Sequence, residues 1–172
     1  IEKGINLFSA AKYEETIIHF EKLKKETNNF LIFWYLCHTY YKIYNSLEAI
    51  KCIKESIKLK SEDSLNLFFL GELYLSTNKY KLAIENFKKV LEIDHKNEAA
   101  LISLARVFIQ TGDFKKSNFY YKLLIEYYPL NFEAHYEYYK IKKDHLSHNL
   151  INRIELELES QNINFKNKIF GK

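Results

Sequence analysis

The stretch LGELYLSTNKYKLAIENFKKVLEI, Leu70–Ile93, decides the fold. Its apolar residues follow a helical pattern that breaks once, near Asn78-Lys79, and then resumes, which predicts two helices joined by a tight turn. Gly71 sits inside the first helix and Ala83 inside the second. A Gly in a helix interior costs about 1 kcal/mol relative to Ala, so something beside Gly71 must need the space.

With Ser64 as position 1, sliding the unit along the chain until position 1 falls on Phe30 or on Glu98 returns the same pattern. Position 7 is Leu36, Leu70 and Leu104; position 8 is Cys37, Gly71 and Ala105. Position 11 is Tyr40, Tyr74 and Phe108; position 20 is Ala49, Ala83 and Ser117; position 24 is Ile53, Phe87 and Tyr121. With a one-residue slip the unit extends upstream, placing Gly4, Leu7, Tyr13, Thr16, Phe20 and Leu23 at positions 8, 11, 17, 20, 24 and 27. The pattern predicts first helices over Phe30–Ile43, Ser64–Thr77 and Glu98–Thr111. Second helices follow over Leu47–Lys60, Tyr80–Ile93 and Phe114–Tyr127. Turns fall at Asn45-Ser46, Asn78-Lys79 and Gly112-Asp113. Small residues at positions 8 and 20 let two helix backbones approach, and the large residues at 4, 7, 11 and 24 fill what remains. Gly71 is therefore a packing residue.

The motif LFFLGELY followed by Ala83-x3-Phe87 resembles the tetratricopeptide repeat family, whose pattern is Trp-x2-Leu-Gly-x2-Tyr, then Ala-x3-Phe, then a terminal Pro. Leu67 stands in place of the Trp and His95 in place of the Pro, while the next unit keeps its Pro as Pro129. The resemblance implies an all-α fold, a right-handed α-solenoid of antiparallel helix pairs with about ten helices. It divides the chain into an array over 1–131, made of a truncated unit 1–29 and units 30–63, 64–97 and 98–131. A degenerate capping pair is expected over 132–160, and the start of a further helix or a tail over 161–172. In the degenerate unit Tyr138 and Tyr139 occupy positions 7 and 8, so the close helix approach is lost. Leu146, Leu150, Ile154 and Leu158 still form an amphipathic stripe, as a terminal cap requires.

Composition agrees with one helical domain. The chain has 172 residues, a single Pro and four Gly, too few turn formers for an all-β fold. The net charge of +4 comes almost wholly from Lys, spread along the chain and mixed with Glu, which argues against nucleic acid as the partner. No apolar run approaches the ~20 residues of a membrane span, and the first residues carry no secretory pattern. Two Cys make no disulfide framework and fit a reducing, cytoplasmic setting. The absence of any Met reads as a segment of a longer protein.

Little in the chain points to catalysis, and no cofactor is expected. The isolated Gly residues (4, 71, 112 and 171) cannot build a phosphate-cradling loop, and no Ser or Cys lies in a nucleophile elbow. Asp144, His145 and His148 have a spacing that could hold a metal on one helical face. They fall at the turn of the weakest unit without a second ligand pair, so they read as a solvated turn.

In the family, positions 2, 5, 9, 12 and 13 of successive first helices line a concave groove. Carried over, they are Leu31, Trp34, His38, Tyr41 and Lys42, then Leu65, Phe68, Glu72, Leu75 and Ser76. Ala99, Ile102, Arg106, Ile109 and Gln110 follow, and then Glu133, Tyr136, Lys140, Lys143 and Asp144. Trp34, Phe68 and Ile102 in one row are too apolar for a solvated face, and such a patch marks an interaction surface. The resemblance thus implies a scaffold binding a protein or peptide, with self-association through the repeat ends as a further possibility. Chaperone-binding members clamp a carboxylate with Lys at position 5 and Asn at position 9. The pairs here are Trp34/His38, Phe68/Glu72, Ile102/Arg106 and Tyr136/Lys140, so that clamp is not expected. As an alternative, Ala134–Lys172 resembles the junction of bacterial repeat–sulfotransferase fusions, which would make the array the front of a larger enzyme.

Overall fold

The computed structural model describes residues 1–60 and 63–142. It divides into two compact units, Ile1–Ala100 and a second beginning at Leu101. The first holds α1 (Glu2–Ser9), α2 (Tyr13–Glu26), α3 (Phe30–Lys42), α4 (Ser46–Leu59), α5 (Ser64–Ser76) and α6 (Tyr80–Ile93). Helix α7 (Glu98–Gln110) runs from the end of the first unit into the second, which also holds α8 (Phe114–Tyr127) and α9 (Phe132–Lys142). Every boundary predicted from the repeat agrees with these helices to within one residue. No strand occurs among the described residues. The expected tenth helix, with its Leu146–Leu158 stripe, lies outside them.

Two chemical devices recur at the repeat period. Asn29, Asp63, Asn97 and Asn131 stand at the same place in successive units, closing one and capping the first helix of the next. Their side chains accept from the amides of Leu31, Leu65, Ala100 and Ala134 at 2.9–3.0 Å, satisfying donors a helix start leaves open. The first helices α1, α3, α5 and α7 are each followed by a residue in the left-handed region: Ala11 (φ 56°), Tyr44 (φ 60°), Asn78 (φ 57°) and Gly112 (φ 77°). In the last three pairs the next amide, from Asn45, Lys79 and Asp113, donates back to Tyr40, Tyr74 and Phe108 carbonyls at 2.8–2.9 Å. This is the Schellman closure. Lys12 donates to Leu7 in the same way at 3.0 Å.

The repeat-packing positions lie in the core. Cys37, Ala49, Ala83, Ala105 and Ser117 are fully buried, and Phe87, Tyr121 and Tyr74 are buried with them. A Cβ on Gly71 would meet three atoms of the Phe87 ring, at 2.5, 2.8 and 3.0 Å, and one on Gly4 would run into the Phe20 ring. Both glycines face a Phe sixteen positions on. Where position 24 is Ile53, position 8 admits the larger Cys37.

Within the first unit each second helix also packs on the next first helix. Tyr35 stacks on Phe20 at 5.5 Å and meets Phe8 edge-on at 5.4 Å. The Tyr40 hydroxyl donates to Glu21 at 3.2 Å, and Lys54 lies over the Tyr74 ring at 5.6 Å. Leu67, Val90 and Ala100 form a further buried cluster at the C-terminal end of this unit. In the second unit Phe108 stacks on Tyr120 at 5.7 Å, and the His135 ring bonds the Pro129 carbonyl at 2.9 Å, tying α9 to the end of α8.

Candidate partner-binding face

Helices α3 and α5 are apolar around most of their circumference, each with a single charged residue, Lys42 and Glu72. Helix packing alone uses one stripe of such a helix, and the remainder here is not all enclosed. Leu65 is 74% exposed and Tyr41 44%. Leu31 and Trp34 are half-buried.

Trp34, His38 and Tyr41 sit at i, i+4 and i+7 on α3, one face of the helix. The Trp34 and His38 rings lie 4.0 Å apart. Phe69, from α5, stacks on His38 at 4.2 Å and takes Tyr41 edge-on at 5.2 Å. The four rings form one continuous plate joining α3 to α5. Burial, and then the neighbouring Lys42 charge, push the His38 pKa down to about 4, so the ring is neutral at pH 7. A neutral imidazole in contact with two aromatic rings contributes surface more than charge.

Phe68 departs from the sequence reading, which takes position 5 as unused by intra-repeat packing. Its ring lies 5.4 Å from Phe87 and packs on the Leu67–Val90–Ala100 cluster. The residue the periodicity passes over is Phe69. Its signal is present in the sequence as Tyr35, the equivalent residue one repeat earlier, but no family position marks it. Glu72 and Leu75 are half-buried, Ala99 and Lys42 are exposed, and the exposed Ser76 turns its hydroxyl back to the Leu73 carbonyl at 3.0 Å.

The groove positions of the second unit are more polar. Ile102 and Ile109 are half-buried and Gln110 is exposed. Arg106 donates through Nε and Nη2 to Glu133 at 2.9 and 2.6 Å, so two predicted groove residues bind each other. Both are exposed, and a pair of that kind is worth at most about 1 kcal/mol. Lys140 pairs with Glu137 at 3.3 Å and lies over the exposed Tyr136 ring at 5.4 Å. Lys143 and Asp144 lie outside the described residues.

Cys37 and Cys52 are free and buried. Burial raises both thiols, that of Cys52 to about 12, so neither is a nucleophile near neutral pH. Among the described residues no three His, Cys, Asp or Glu side chains converge as a metal site; the Asp144–His148 cluster lies outside them. No helix among the described residues is long and apolar enough to cross a membrane.

Paired antiparallel helices repeating at a fixed period, with small-to-large packing inside each pair, define a helical-repeat protein. Residues 74–137 match a tetratricopeptide repeat family profile. Among solved structures, MamA is 20% identical over 92% of this chain and 95% of its own, with a TM-score of 0.77. YrrB, described as a repeat protein with an unusual peptide-binding site, is 15% identical over 92% of this chain and 83% of its own, with a TM-score of 0.71. The first repeat domain of Spaghetti (RPAP3), bound to the HSP90 peptide SRMEEVD, is 18% identical over 66% of this chain and 93% of its own, with a TM-score of 0.58. At these identities the likeness is one of fold, the α-solenoid. No curated protein matches the chain. These comparisons lend no support to the sulfotransferase-junction resemblance, most of which also falls outside the described residues.

Proposed function

We propose that this chain is a non-catalytic scaffold that binds a peptide or helix of a partner protein on the first helices of its repeats. The observation that carries the reading is the ring plate of Trp34, His38, Phe69 and Tyr41, flanked by the open Leu65 side chain. Aromatic residues dominate interface anchors, and charged residues are depleted at interface centres. The face on α3 and α5 meets both criteria. Two of the solved relatives bind peptides according to their descriptions, which supports the class of partner without specifying it.

The experiment compares proteins retained by the wild-type chain with those retained by Leu65→Glu and Tyr41→Ala. Both side chains are exposed enough that far-UV circular dichroism should be unchanged. A partner held by the wild type and lost from both variants supports the reading. Equal retention by all three refutes it.

A further inference from the structure

The hydrogen-bonding chemistry of the α3–α5 face selects the kind of chain that fits it, an inference that rests on reading this face as the partner site. We infer that its occupant is an amphipathic α-helix presenting an apolar stripe, and not an extended segment. Helix α3 has 13 residues, a length of about 20 Å at 1.5 Å per residue. An extended chain along that length lays down about six residues at 3.3 Å each. It brings roughly twelve backbone N–H and C=O groups, of which those turned to the protein must find partners there. Each one buried without a partner costs about 1–3 kcal/mol.

The face has few partners to give. The polar atoms of the ring plate are the Trp34 indole N–H, the Tyr41 hydroxyl and the two edge nitrogens of the neutral His38 ring, against which Trp34 and Phe69 pack at 4.0 and 4.2 Å. Leu31, Leu65 and Phe69 offer none. Helix α3 contains no Asn, Gln or Arg, and the one Asn of α5, Asn66, is buried. With one cation and one anion on the two helices, the face also has no net charge to draw a charged strand. A helix arrives with its backbone groups already paired. It needs only apolar side chains at i, i+3, i+4 and i+7 to meet the ring plate and Leu65.

The test uses the whole chain and two synthetic peptides of equal length and identical Leu, Ala, Lys and Glu composition, each long enough for about four helical turns. One has Leu at helical spacing and the other has Leu at alternate positions. Trp34, the single Trp, reports binding by fluorescence, and circular dichroism of the mixture reports peptide helicity. The helical-spacing peptide should bind saturably, gain helicity on binding, and lose at least tenfold in affinity to the Leu65→Glu variant. The alternating peptide should bind at least tenfold more weakly than its isomer. If the alternating peptide binds as well or better and Leu65→Glu weakens it, the face is right and the helical occupant is wrong. If the helical peptide binds Leu65→Glu as well as wild type, or if neither peptide binds, both the inference and the reading of the face are overturned.

Discussion

Replacing Gly71 by Ala adds one methyl group at the closest approach of α5 and α6. Its carbon would stand 2.5 Å from the nearest Phe87 ring atom, with two more ring atoms at 2.8 and 3.0 Å. Carbon atoms pack best at about 3.5–4.0 Å, so the ring or the helix must give by about 1 Å. Phe87 is fully buried, and overpacking at such a site costs about 1–3 kcal/mol. Against this, Ala in place of Gly in a helix interior contributes about 1 kcal/mol. The single variant therefore ends between neutral and about 2 kcal/mol destabilised, too wide a range to identify the cause. A double-mutant cycle separates the two effects. In a Phe87→Leu background the clash is gone and the propensity gain remains, so Gly71→Ala should stabilise by up to about 1 kcal/mol. The coupling between the sites is then about 1–3 kcal/mol. Urea unfolding followed by far-UV circular dichroism measures all four corners. The same effect of Gly71→Ala in both backgrounds would show that Phe87 is not the reason for the glycine. Gly71→Leu, with three further carbons, should cost at least the upper end of the overpacking range.

Three other perturbations test separate parts of the structure. Asn66 is 1% exposed and neither its Nδ2 nor its Oδ1 has a partner, while its counterparts in the neighbouring repeats are Ile32 and Ala100. Asn66→Ala should stabilise by about 1–2 kcal/mol, and a lower urea midpoint would mean that the amide is satisfied in solution. Tyr44 holds φ 60° with its side chain 93% exposed, so Tyr44→Gly should gain about 1 kcal/mol. Gly112→Ala should lose a similar amount through backbone strain alone, since a Cβ there meets nothing within 4 Å. Calorimetry on the two variants should show melting temperatures moving in opposite directions. His38 falls from its ordinary value of 6.5 to about 4 on folding, so below pH 6.5 the unfolded chain binds a proton the folded chain resists. Its contribution is complete above pH 6.5 and is lost progressively towards pH 4, by at most about 3 kcal/mol. His38→Leu should flatten that part of the stability profile, and an unchanged slope would place the titration elsewhere.

The sequence alone determined the fold class, the period and the helix ends. These depend on features that repeat: a small residue at position 8 facing a large one at position 24, and a chain reversal in every unit. Gly71 could be read as a packing residue because Phe87 lies sixteen positions on in the same pattern. The capping Asn29, Asp63, Asn97 and Asn131 were equally periodic, though only their bonds to the helix amides gave them a role. Tyr44 could not be foreseen in the left-handed region, because its unit has a bulky residue where the others have Asn78 or Gly112. The turn is imposed there by the closure of the helix pair and not by local preference.

The candidate face was half legible. Trp34, His38, Tyr41 and Leu65 were read from the repeat positions, whereas Phe68 packs on Phe87 and Phe69, which no repeat position marks, joins the ring plate. Consecutive residues on a helix point about 100° apart, and with two adjacent Phe residues the periodicity fits either one as the outward ring. The Phe87 ring, brought close by Gly71, offers Phe68 an inward contact, and the His38 and Tyr41 rings offer Phe69 an outward one. Hydrophobicity by itself says that both rings need cover. Which ring found it inside the helix pair was decided only when the helices were packed, because that cover comes from side chains on other helices.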